Sequence, residues 1–236
     1  MNKTSKQIKS KKRVADHGEV FTNEREVKAM CDLVNQECER IDSRFLEPAC
    51  GNGNFLAEVL IRKLNRVKQL YKKNAYDFER YSVLAVSSIY GVDIMQDNVK
   101  ECQARMYEIW EKEYVKNCKT MCNNETRNAI IYILSKNILC GNALTMMQVD
   151  ENQQDTETPI IFPEWSLIMG IKLKRRDFRL DVLLKANSKP EEKKQNSLFD
   201  DELSEYLSIN PVTGEYMPEP IKIYPAVSYK KIMEVE

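Results

Sequence analysis

No stretch of the chain approaches the roughly 18 consecutive apolar residues that a membrane-spanning helix requires. The N-terminal MNKTSKQIKSKKR has no apolar block behind it that could serve as a secretory signal. The expected address is therefore the cytoplasm, with no membrane partner. Neither sign of charge is in excess: 36 Lys and Arg balance 36 Asp and Glu, so the chain as a whole has no field to gather nucleic acid. Histidine is reduced to His17 alone. Cys118 and Cys122 form a lone C-x3-C, so the four ligands of a structural zinc site are not assembled and no metal is expected. The seven cysteines, Cys31, Cys38, Cys50, Cys102, Cys118, Cys122 and Cys140, are odd in number and scattered over helix-like and strand-like segments. That is the pattern of reduced thiols, not of a disulfide framework.

What is present is a globular composition, 42% hydrophobic over 236 residues, enough for one sizeable core with a small appendage. Residues 1–16 are polar and aperiodic, a flexible basic N-terminus. Residues 17–147 hold the regular pattern. Val27, Met30, Cys31, Val34 and Cys38 recur at helical steps over Asn23–Glu39, with Thr22 and Asn23 as cap candidates. A short apolar element, Arg44–Cys50, runs into Gly51-Asn-Gly53 and then a helix from Asn54 to about Lys72. Tyr81–Ile94 is rich in Val, Ile and Tyr and reads as a second buried strand, followed by helices over Gln96–Lys116 and Glu125–Ser135 and a third strand at Asn137–Asn142. Strands alternating with helices of this length imply an α/β fold with a parallel sheet and right-handed crossovers.

Beyond Met147 the pattern changes. Residues 148–184 read as a β-rich insert or sheet edge: a polar loop at 148–158, β segments around Trp165, and a helix beginning within Arg176–Leu184. Residues 185–205 are a charged linker, and 206–236 an extended tail with four prolines that docks on something. Within the insert, Lys172, Lys174, Arg175, Arg176 and Arg179 are interleaved with Phe178. Such a cluster can hold DNA phosphates, or can simply be a solvated basic strand.

The strongest chemical signal is Glu47-Pro-Ala-Cys-Gly51-Asn-Gly53-Asn-Phe55, placed between a strand and a helix. Glycines let backbone approach a ligand closely, and the helix start offers unpaired N–H groups. A dinucleotide fingerprint would need glycine where Leu56 stands, and no G-K-[ST] follows for a phosphate loop. An acidic residue before the glycines repels pyrophosphate but suits a cationic amino-acid moiety. S-adenosylmethionine has that moiety and no phosphate. Asp93, in Gly91-Val-Asp93-Ile94, can accept from both ribose hydroxyls while Ile94 offers an adenine face; its alternative role is to cap the next helix. Asn142, in Gly141-Asn-Ala-Leu144, can present an acceptor and a donor to an adenine edge, or can be a turn asparagine.

Gly18-Glu-Val-Phe-Thr22, Glu47–Phe55, Gly91–Ile94 and Gly141–Leu144 together resemble, in order, motifs X, I, II and III of adenine-specific (N6) DNA methyltransferases from restriction-modification systems. The match covers about residues 17–145. The resemblance implies a Rossmann-like S-adenosylmethionine-dependent fold in which Phe21 and Thr22 close the methionine end. Glu47, Pro48, Ala49, Gly51, Gly53, Asn54 and Phe55 would form the methionine cradle, Asp93 would hold the ribose, Ile94 would pack on adenine, and Asn142 with Ala143 would meet the adenine edge. Family members often carry aspartate at the position of Asn142.

The family's catalytic motif, Asn or Asp followed by Pro, Pro and an aromatic, does not occur. Phe162-Pro-Glu-Trp165 has a phenylalanine where an acceptor is required, and Asn210-Pro-Val-Thr213 lacks the aromatic; a strand-end turn and an Asn-Pro turn are their structural readings. With only the first three strands evident, the sheet is expected to be incomplete. A second polypeptide carrying the catalytic motif and target recognition is the expected partner, with DNA contacted by the complete enzyme. The alternatives are a catalytically inactive S-adenosylmethionine-binding relative and, more remotely, a small-molecule or protein methyltransferase.

Overall fold

The computed structural model describes residues 9–17, 19–186 and 203–235. Its first helix, α1 (Lys11–His17), falls in the segment expected to be flexible, where Lys9 and Arg13 are held by carboxylates. Helix α2 (Glu24–Leu33) starts in a capping box: the Asn23 side chain and Glu26 satisfy each other's backbone ends. The single helix expected over Asn23–Glu39 breaks at Val34 and resumes as α3 (Asn35–Glu39). Arg62 holds the break, donating to the Lys28 carbonyl, Asp32 Oδ1 and Asn35 Oδ1 at 3.2, 2.7 and 3.0 Å.

Strand β1 (Phe45–Glu47) is followed by α4 (Asn54–Tyr71), whose Leu56, Val59, Leu60, Leu64 and Val67 are buried in one stripe. Each such side chain contributes about 1.5–3 kcal/mol of transfer free energy. Residues Tyr81–Ser87, expected to begin a strand, belong instead to helix α5 (Ala75–Ser87), capped by Asn74 on the Asp77 N–H. The helix is buried along most of its length, so its apolar residues show no stripe. Ser82 and Ser87 are accommodated because their hydroxyls donate to the Glu79 and Leu84 carbonyls.

Strand β2 (Ile89–Asp93) lies parallel to β1. Helices α6 (Gln96–Cys118) and α7 (Asn124–Asn137) then lead to β3 (Ile138–Asn142), parallel to β2. Residues 147–159, most of them expected to be loop, pair as an antiparallel extension, β4 (Met147–Val149) and β5 (Asp155–Pro159). Sheet order is β1-β2-β3-β4-β5. The fold is mixed α/β, and among the described residues nothing pairs with the outer edge of β1.

A second, antiparallel sheet is built on β6 (Ile161–Leu167) and β7 (Lys172–Arg179). Strand β7 therefore continues through Arg176–Arg179, where a helix was expected to begin, and helix α8 (Leu180–Ala186) starts only after it. Beyond α8, residues 187–202 of the expected linker lie outside the described residues. Strands β8 (Leu207–Ile209) and β9 (Tyr216–Pro218) form a hairpin, and β10 (Lys222–Ile223) and β11 (Val227–Ser228) follow one another along β7. The proline-rich tail thus docks on its own chain: after β11, a 3-10 helix (Tyr229–Glu234) delivers the Tyr229 hydroxyl to Glu79, 2.7 Å away on α5.

The two sheets meet around aromatic residues. The Tyr90 ring of β2 packs edge-on against Phe162, and its hydroxyl donates to the Pro163 carbonyl at 2.8 Å.

Candidate functional site

The C-terminal ends of β1 and β2 converge on one turn. Cys50 donates its N–H to the Val92 carbonyl at 2.9 Å, so the chain leaving β1 stays bound to β2 while it turns. Gly51 and Gly53 have φ of +52° and +83°. A Cβ at Gly53 would stand 2.5 Å from Cys102 Sγ, and one at Gly51 would stand 3.0 Å from the Phe21 ring. Both glycines are required by backbone conformation and by close packing.

Asp93 ties the two strands' ends together. Its Oδ2 accepts from the Gly51 N–H at 2.9 Å, and its Oδ1 accepts from the Met95 N–H at 2.8 Å and Asn98 Nδ2 at 3.1 Å. Asp93 therefore both organises the glycine turn and caps the approach to α6. With three donors already on a group of about four acceptor positions, little capacity is left for a ribose. Glu47, half-buried at the end of β1, has its carboxyl pushed above the ordinary carboxylate value by burial, opposed by a hydrogen bond from the Ala49 backbone. A cation arriving beside it would favour the ionised form.

Phe21 is buried and lies on the glycine turn. Thr22 is exposed, and its carbonyl accepts from Asn54 Nδ2 at 2.9 Å. Asn54 is held in turn by Arg105, which also reaches the Asn52 carbonyl at 3.4 Å. Pro48 and Ala49 are exposed beside the turn. Phe55 is half-buried, its ring 6.4 Å from that of Phe45, so it packs behind the turn toward β1. Ile94 and Ala143 are half-buried at the ends of β2 and β3.

Asn142 fills the turn role: Oδ1 accepts from the Leu144 N–H and Nδ2 donates to Asp155, both at 3.0 Å. Gly18, the first residue of the N-terminal motif, lies outside the described residues.

Three contributors were not singled out by sequence. Asn98, buried on the first turn of α6, bridges Asp93 and Glu19. Glu19 joins it to Arg13. Asn52 carries an Oδ1 that is buried without a hydrogen-bond partner among the described residues, an unused acceptor within the glycine turn. Glu19 and Asn52 lie inside the sequence motifs without a role read for them, and Asn98 had only its place five residues beyond Asp93 as a signal.

Elsewhere, the strand-end turn read at Phe162–Trp165 and the phosphate contact read at Arg175 are corrected, while Asn210 takes the turn role read for it. Phe162 and Trp165 are buried strand residues, and Trp165 Nε1 donates to Asn137 Oδ1 at 2.7 Å. Asn210 Oδ1 accepts from the Val212 and Thr213 N–H groups in the β8–β9 turn. Arg175 is buried against Asp177, with two contacts of 2.7 Å, and so is withdrawn as a phosphate contact. Arg176 pairs with Glu164 and Arg179 with Asp181. Lys172, exposed, and Lys174, half-buried, form no ion pair among the described residues.

The cysteines are free thiols. Cys50, hydrogen-bonded to Cys102 and buried, and Cys31, pushed up to about 12 by burial, are held protonated and inert at neutral pH. No group of three or more metal-ligating side chains occurs among the described residues, and no helix among them is long and apolar enough to cross a membrane. No protein-family model, curated protein or solved structure matches the chain.

Proposed function

We propose that this chain is the S-adenosylmethionine-binding part of an adenine-N6 DNA methyltransferase of the restriction-modification kind, with a Rossmann-like core. A second polypeptide supplies the catalytic motif and target recognition. The observation that carries the reading is the convergence of the glycine turn, Glu47 and Asp93 at the C-terminal ends of two adjacent parallel strands. Such strand ends are where open α/β sheets take nucleotide-like ligands. Supporting it, the half-buried Glu47 carboxyl and the unpartnered Asn52 Oδ1 are acceptors suited to an ammonium group, and Phe21 closes the turn from the N-terminal side. Asp93 orients Gly51 and shares what acceptor capacity it retains with the ribose. The exposed edge of β1 is where a partner strand would join the sheet.

A second reading, an S-adenosylmethionine-binding module that transfers nothing, draws support from the burial of Phe162 and Trp165 as strand residues. Calorimetric titration with S-adenosylmethionine tests what both share. Asp93→Ala should weaken binding at least about tenfold, the effect of losing charge-assisted hydrogen bonds worth about 1.5–3 kcal/mol each. Equal dissociation constants would remove Asp93 from the site. Labelled-methyl transfer to unmodified DNA should be absent with the chain alone, and robust incorporation would overturn the need for a partner.

A further inference from the structure

The segment before α2 is joined to the glycine turn by a continuous set of polar contacts that cofactor binding does not require. From α1, Arg13 reaches Asp97 on the first turn of α6 at 2.6 Å and Glu19 at 2.6 Å, while Lys9 reaches Asp97 at 3.2 Å and Glu101 at 2.6 Å. Arg13 and Lys9 also donate to Asn98 Oδ1, at 3.2 and 2.8 Å. Asn98 passes the connection on, donating to Glu19 at 2.7 Å and to Asp93 at 3.1 Å, and Asp93 accepts from the Gly51 N–H. The segment ends with Phe21 on Gly51 and the Thr22 carbonyl on Asn54.

These contacts differ in kind along the segment. Near Phe21 they are buried and apolar. At α1 the carboxylate partners on α6 are open to solvent, Asp97 with 53% and Glu101 with 47% of the side chain exposed, whereas Glu19, which belongs to the segment itself, is 8% exposed. Exposed pairs are individually weak and screened by salt. The end of the segment furthest from the turn is therefore held by the contacts most easily loosened.

We propose that residues 9–17 and 19–22 form a strap latched by ion pairs across the glycine turn, so that access to the turn is set by ionic strength. The proposal deepens the methyl-donor reading, and its test has one arm that does not depend on that reading. In the full chain, trypsin cleavage after Arg13, normalised to a flexible peptide substrate, should accelerate about tenfold from about 0.01 to 1 M salt, as the Debye length falls from about 30 to 3 Å. Asp97→Asn and Glu101→Gln should cleave faster at low salt, with little further change as salt rises and with unaltered melting temperatures. The association rate of S-adenosylmethionine should rise over the same salt range in wild type and be flat in Asp97→Asn. Salt-independent cleavage of wild type, or an Asp97→Asn chain that keeps the wild-type salt response, overturns the latch. Salt-dependent cleavage with no binding of S-adenosylmethionine at any salt supports the latch and removes the methyl-donor reading instead.

Discussion

Glu79 is where the C-terminal tail is held to the body of the protein, and its replacement is the most direct way to ask whether that tail is part of the fold. Its carboxylate, 5% exposed on α5, accepts from Tyr114 Oη at 2.7 Å, Tyr229 Oη at 2.7 Å, Asn123 Nδ2 at 3.0 Å and Lys230 Nζ at 2.8 Å. Four donors from α6, the start of α7 and the C-terminal 3-10 helix therefore share one carboxylate. Burial alone would raise its pKa, but the donors outweigh it and hold the carboxyl below its ordinary value, while burial and the Glu79 contact push both tyrosines up. Glu79→Ala leaves the buried Tyr114 and Tyr229 hydroxyls without their acceptor and Lys230 without its ion-pair partner, which should cost about 3–5 kcal/mol. For a chain of this size that lowers the melting temperature by roughly 6–20 °C, at about 2–4 °C per kcal/mol.

The pH dependence has a definite sign. A depressed carboxyl contributes stability that is fully present above its unfolded value, here 4.5, and is lost as pH falls through the lower folded value. The difference between wild type and Glu79→Gln should therefore be constant near neutrality and shrink in acid. Thermal unfolding followed by circular dichroism measures both effects. A Glu79→Ala chain melting within about 2 °C of wild type would mean that the tail does not sit on α5 as described.

Two further substitutions probe the turn and the loop before β1. Gly53→Ala forces a left-handed residue and places a methyl group 2.5 Å from Cys102 Sγ, for a loss of about 2–5 kcal/mol; adding Cys102→Ala should recover about 1–3 kcal/mol in chemical denaturation, and no recovery would assign the whole cost to the backbone. Lys63 is fully buried with its Nζ on the Arg40 and Ile41 carbonyls and Ser88 Oγ, and burial lowers its pKa to about 8. Between about 8 and its ordinary 10.5 the unfolded chain binds the extra proton, so stability rises with pH, by on the order of 3 kcal/mol, relative to Lys63→Met. Parallel stability curves for the two proteins across that range would contradict the depressed value.

How much could be read from sequence depended on whether a residue's environment was local. The α4 stripe and the glycine turn were legible because their determinants lie within a few residues: a helical period, and two glycines at φ values that other residues rarely adopt. Helix α5 was misread for the opposite reason. Its residues Tyr81–Ser87 are packed by α4, α6 and α7, and burial on several sides erases the period that distinguishes a helix from a buried strand. The basic run 172–179 left two readings open, a phosphate surface and a basic strand, and it folds as a strand. Read alone, five cations suggest a phosphate surface; folded, Arg175 turns inward to an aspartate two residues along the same strand, and Arg176 is answered across the β6–β7 pair by Glu164.

The site shows the same division within a single residue. Asp93 was legible as an acidic group at the end of a strand, and both of its sequence-derived roles, ligand acceptor and helix cap, compete for the same lone pairs. The fold gives those lone pairs three internal donors first, the N–H groups of Gly51 and Met95 and the Asn98 amide. The group that would sense a bound ribose is thus the group that shapes the glycine turn, and through Asn98 it reaches Glu19 and the N-terminal segment. A ligand drawing on Asp93 would weaken one of those donors' bonds, and the Asn98 bond, longest of the three, would yield first. On the proposed reading, occupancy of the turn and closure of the segment over it would be linked through one carboxylate, a coupling that depends on Asn98 lying five residues beyond Asp93 on the first turn of α6.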